Sequence, residues 1–347
     1  MNNIERAKNI LASYNGKLLR VMEVCGTHTH EIFRQGIRDV LGANIRLISG
    51  PGCPVCVTGG SFIDAACHLA ASVGVTVCTF GDLLRVPGSK GNLDDVRSKG
   101  GAVHVVYTPL DAVAYAQEHS DEQVVFLSVG FETTTPSSCL AVRHAQNLGL
   151  KNFSLLTANK TMDEAYKNLA GSADAFLYPG HVCAITGTQK LSELAQRQGI
   201  SGAVAGFKAE EILLALVMIV QKTATGQPFF VNCYPRVVTE KGNIAAQKLL
   251  AEYMEPCDSL WRGLGNLPGS GLRLRSMYRD YDAKIKFALP DFADGMPHGC
   301  RCGDVLKGNI EPQECRLFGA ACNPLHPIGA CMVSQEGTCA AYYKYKR

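Results

Sequence analysis

The chain has 347 residues, of which 46% are hydrophobic and 19% charged. That balance excludes an extended disordered chain and predicts a soluble globular protein of two or three units. Its 34 basic and 31 acidic residues leave a net charge of +3, too even to mark a nucleic-acid surface. No run approaches the ~20 apolar residues of a membrane span, and the opening Met-Asn-Asn-Ile-Glu-Arg lacks the basic and apolar segments of a secretory signal. A cytoplasmic protein is expected, with neither nucleic acid nor membrane as partner.

Short β-branched runs recur at residues 18–24, 45–49, 75–80, 103–107, 124–129, 153–157 and 175–178. Helical patterns at 31–41, 61–72, 111–118, 137–148 and 162–169 separate them, and 208–223 and 243–254 continue the helical spacing. Apolar strands alternating with helices predict parallel-sheet α/β architecture. The expected layout is a first α/β domain over 1–130, a second over 131–240, and a C-terminal cysteine-rich region over 241–347. From about Gly263 the strand alternation fades, which predicts a helix-and-loop cap.

Fifteen cysteines without an export signal argue against a disulfide framework, because cytosolic thiols are kept reduced. Metal ligation and catalytic thiols remain. Cys25 follows the first strand, with His28 and His30 close by in Cys-Gly-Thr-His-Thr-His. Imidazoles beside a thiol can lower its pKa and suit it to metal binding or nucleophilic attack, whereas burial in the core is the plainer alternative. Gly-Pro-Gly-Cys53-Pro-Val-Cys56 sets two thiols at the spacing that closes a small disulfide, and redox use is favoured over half of a zinc site.

The segment 130–136, with Glu132 among its threonines, follows a strand and opens a helix. Its spacing fits an ordinary N-cap better than an anion site. His181 lies in another turn after a strand, placed to move protons or to satisfy a backbone group. Because ligands bind at the carboxyl ends of strands in open α/β sheets, these turns are expected to share a cleft. In the tail, twelve residues separate Cys302 from Cys315, or fourteen if counted from Cys300; six then lead to Cys322 and sixteen to Cys339. Four such thiolates can hold a [4Fe–4S] cube or a zinc ion. Cys331, in Gly-Ala-Cys-Met-Val, reads as core.

Five motifs in order, Met22–His30, Gly50–Cys56, Gly130–Thr134, Pro179–Gly187 and the tail Cys331–Tyr343, resemble the hydrogenase maturation family HypD over nearly the whole chain. Thr27 stands where some members of that family have glycine, and Cys183 where its pattern has serine. The resemblance implies two α/β domains and a C-terminal region with a [4Fe–4S] cluster. It also implies a scaffold, shared with a HypC-type chaperone, for assembling the Fe(CN)2CO group of [NiFe]-hydrogenases. On that pattern Cys25 holds the iron, present as Fe(II) carrying CN and CO, Cys53 and Cys56 form the redox-active dithiol, and a HypE-type partner delivers cyanide. Cys315, Cys322, Cys339 and either Cys300 or Cys302 would bind the cluster, which would supply electrons. The competing expectations are an iron–sulfur-dependent protein disulfide reductase and a zinc-stabilised binding protein.

Overall fold

A computed structural model describes residues 3–345. Met1 and Asn2 of the opening segment, and Lys346 and Arg347 at the end of the chain, lie outside the described residues. Among the described residues eleven strands form two sheets. In chain order they are β1 Leu19–Glu23, β2 Ile45–Ser49, β3 Val75–Thr79, β4 Val103–Val105, β5 Gln123–Gly130, β6 Phe153–Lys160, β7 Ala175–Pro179, β8 Gly202–Ala205, β9 Phe230–Asn232, β10 Met254–Trp261 and β11 Gly265–Leu274. The first sheet runs β2-β1-β7-β8-β9, all parallel. The second runs β10-β11-β6-β5-β3-β4, parallel from β6 to β4 and antiparallel at its hairpin edge.

Helices cover these sheets, so strands such as β5 are apolar along their length. Val124, Val125, Phe126 and Leu127 are fully buried, as expected where both faces of a parallel sheet are covered. The α/β expectation with two mostly parallel sheets holds.

The linear division of the chain does not follow the sheets. After β2 the chain leaves to build β3 to β6, returns for β7 to β9, and goes back to close the second sheet with β10 and β11. A cut after residue 130 separates β5 from β6, with which it pairs from Val124 to Gly130. Local periodicity reports strands, not which strands become neighbours.

The fading alternation beyond Gly263 also misled, because β11 lies there. Ser259 pairs with Leu267 and Cys257 with Gly271, leaving Pro268, Gly269 and Ser270 bulged opposite Asp258. Such a bulge at a sheet edge accommodates proline and glycine and breaks the period of two. Beyond Leu274 the chain is short helical turns and loops, as expected.

Candidate redox and metal centre

The carboxyl ends of the first sheet converge. Cys25 ends the extension of β1 and is the N-cap of helix Gly26–Arg34, which begins five residues before the expected start at Glu31. Beside it, the turn after β2 comes so close that a Cβ on Gly52 would lie 2.3 Å from the Cys25 backbone nitrogen and Cα. The Gly26 N–H donates to the Gly52 carbonyl at 3.4 Å. Beneath these turns Glu23 is fully buried, paired with Arg38 at 2.5 Å and accepting from the Ser49 hydroxyl at 2.6 Å.

His28, fully buried on the same helix, is bound to the turn after β8. Its Nε2 is 2.8 Å from the Gly206 carbonyl after β8, and its ring stacks on Phe207 at 4.7 Å. His181, after β7, stacks on Phe207 at 5.0 Å. Burial holds His28 down to about 4, and its Nδ1 has no partner. The expected lowering of the Cys25 pKa by imidazoles is corrected here: burial pushes that thiol up to about 12, against the backbone N–H groups of His28 and Thr27. A thiol held protonated in this way becomes a ligand only when a soft metal ion displaces its proton. His30 is turned toward the tail, bonded through Nε2 to the Gln335 carbonyl and edge-on to Tyr345.

Cys53 is the N-cap of the single turn Pro54–Val57, and its Sγ accepts the Cys56 N–H at 3.4 Å. Both thiols are buried. Burial and the neighbouring Cys53 push the Cys56 thiol up. Around them close Cys302 and Cys331, flanked by Cys300 and Cys339.

All six tail cysteines line one small cavity, shared with Leu317, Phe318 and Met332. Sulfur supplies the whole donor set, and the Ile328 N–H already donates to Cys322 Sγ at 3.3 Å. Soft thiolates with N–H groups directed at sulfur fit an iron–sulfur group. Cys331, read from sequence as core, is indeed buried, but Cys302, Cys339 and Cys56 are its electrostatic neighbours. Its spacing carried no metal signal. The glycines around it allow close packing, since a Cβ on Gly329 would lie 2.8 Å from Cys300 Sγ and one on Gly337 2.2 Å from the Cys331 carbonyl.

Glu132 belongs to the second sheet, at the end of β5. Its Oε1 accepts the Met162 N–H at 2.8 Å, while Oε2 is buried without a partner. Burial, then Asp163, raises this carboxyl to about 7, and its charge reaches the buried Cys183 thiol. Thr134 is the N-cap of helix Thr135–Asn147 without a side-chain cap bond. Its hydroxyl instead donates to the Phe131 carbonyl, as does that of Thr135.

One segment, residues 330–339, joins three thiol sets. Its Ala330 carbonyl accepts from Cys56 Sγ at 3.8 Å, and its Ser334 hydroxyl accepts from Cys53 Sγ at 3.4 Å. Glu336 accepts from the Thr27 hydroxyl at 3.1 Å and packs against Gly26, while Cys331 and Cys339 belong to the segment itself.

A family model described as HypD, hydrogenase formation hypA family, matches residues 2–346. The chain belongs to the HypD family. It is 42% identical to the hydrogenase maturation factor HypD of Azotobacter vinelandii over 94% of this chain and 89% of that protein. Against the Escherichia coli factor of the same name it is 40% identical, covering 99% of this chain and 93% of the relative. The Rhodobacter capsulatus factor is 39% identical over the same shares. These HypD relatives place the chain in hydrogenase maturation. Among the described residues no helix is long and apolar enough to cross a membrane.

Proposed function

We propose that this HypD-family protein is a scaffold on which the Fe(CN)2CO group of [NiFe]-hydrogenases is assembled in the cytoplasm, together with a HypC-type chaperone and a HypE-type cyanide donor. The observation that carries it is the segment 330–339, which touches Cys56, Cys53 and the helix of Cys25 in turn. A plain disulfide reductase needs the dithiol and an electron source. It has no use for a third buried thiol packed against the same turn.

In this reading Cys25 is the soft ligand for the incoming iron, its proton leaving as the metal binds. Cys53 and Cys56 cycle between dithiol and disulfide, two electrons and two protons at a time. His28 stays neutral because of its burial, and it fixes the Gly206 turn beside the iron site rather than acting as a base toward Cys25. Four of Cys300, Cys302, Cys315, Cys322, Cys331 and Cys339 hold a [4Fe–4S] cluster, which supplies single-electron chemistry when bound. Cys331 joins the candidates on its contacts with Cys302 and Cys339.

The test is iron, acid-labile sulfide and zinc analysis of anaerobically purified protein, with visible absorption. Four irons and four sulfides per chain, lost on replacing Cys322 or Cys331 by alanine, are expected from the stoichiometry of the cube. Stoichiometric zinc without sulfide would instead support a zinc-stabilised binding protein.

A further inference from the structure

Arg262 is only 1% exposed, and among the described residues no carboxylate lies within ion-pair distance of it. Its Nε donates to the Thr58 carbonyl and its Nη2 to the Pro87 carbonyl, both at 2.8 Å. Nη1 is buried with no partner. A buried charge without a counter-charge is costly, and proteins retain one where an opposite charge is present during function.

The surroundings supply candidates for that charge. Arg262 follows Trp261, the last residue of β10, and its backbone N–H donates to the Val57 carbonyl at 2.8 Å, tying it to the Cys53–Cys56 turn. The next residue, Gly263, packs directly on Gly303, with a Cβ there only 2.6 Å from the Gly303 Cα and 3.7 Å from the Cys302 carbonyl carbon. The backbone at Arg262–Gly263 therefore bridges the dithiol turn and the start of the tail site, and the guanidinium is fixed beside the dithiol turn by Thr58 and Pro87.

We infer that Arg262 is the fixed counter-cation of the tail thiol site, offsetting the negative charge that thiolates and a bound iron–sulfur group place beside the dithiol. The inference rests on the proposal that the tail binds such a group. Reduction adds one electron to that group without making or breaking a bond. A buried positive charge nearby favours the reduced form and raises the midpoint potential.

The experiment is a mediated titration with dithionite, followed by visible and electron paramagnetic resonance spectra, on anaerobic wild-type, Arg262→Gln and Arg262→Lys proteins, with iron and sulfide counted in each. Gln removes the charge and keeps a donor; Lys keeps the charge and loses the fork to Thr58 and Pro87. The expected result is a more negative midpoint potential in Arg262→Gln and a near-wild-type value in Arg262→Lys. An unchanged potential in Arg262→Gln overturns the inference. So does an equal shift in both variants, which would assign the effect to the fork's structural bonds. If Arg262→Gln fails to fold, Arg262→Lys alone decides, because a shifted potential with the charge retained also overturns it. Absence of iron and sulfide from the wild type would instead remove the cluster proposal itself.

Discussion

Gly26→Ala tests whether the tail is seated on the Cys25 helix. A Cβ at position 26 would lie 2.3 Å from the Glu336 carbonyl oxygen and 2.5 Å from the Glu336 Cβ. Backbone must therefore retreat by about 1 Å to reach ordinary van der Waals separation, a case of overpacking that costs roughly 1–3 kcal/mol. Alanine at the first position of a helix is intrinsically no worse than glycine, so any loss comes from the collision. The bonds that yield are those between Thr27 and Glu336 and between His30 and the Gln335 carbonyl. Urea unfolding should show a loss of about 2 kcal/mol, and hydrogen exchange should show faster exchange at amides 334–341. Gly171→Ala is the control, since nothing lies within 4 Å of a Cβ there. If Gly26→Ala matches that control in both measurements, the tail does not rest on Cys25 as described.

Glu132 predicts a pH dependence with a definite sign. Its folded pKa of about 7 lies above the ordinary glutamate value of 4.5, so the native state binds the proton more tightly and Glu132 lowers stability as pH rises through that window. The gap corresponds to roughly 3 kcal/mol. Glu132→Gln should therefore gain stability relative to wild type between about pH 5 and pH 8, read from urea midpoints, and an equal difference at both ends would contradict the assignment. For the dithiol, thiol trapping and mass spectrometry across graded redox buffers should show Cys53 and Cys56 joining in a reversible disulfide. Two free thiols in an oxidised but folded protein would leave them only a static role.

Much of this was legible before the structure, for physical reasons that differ by element. The buried parallel strands wrote themselves as β-branched runs, and the turns with Cys25, Cys53 and His181 were found because each ends a strand. Sheet membership was not legible, since β2 and β3 are consecutive in the chain yet belong to different sheets. The hairpin β10–β11 was hidden by Pro256, Pro268 and a bulge. The partners of His30, the Gln335 carbonyl and Tyr345, were not legible, because sequence proximity to Cys25 says nothing about which tail residues pack on the helix. Cys331 reads as core from its apolar run and is buried in the structure, and only the packing of Cys302, Cys300 and Cys339 around it shows that it shares their cavity. Arg262 carries no motif at all, and only its burial without a carboxylate distinguishes it.

The most direct measurement on the proposed assembly role is infrared spectroscopy of the anaerobically purified complex with a HypC-type chaperone, comparing wild type with Cys25→Ala. Cyanide and carbonyl stretches are expected in the wild-type complex and absent from the variant, with the tail's iron and sulfide content unchanged because those thiols lie in a separate cavity. Unaltered bands in Cys25→Ala would remove that thiol from the iron site and favour the disulfide-reductase reading.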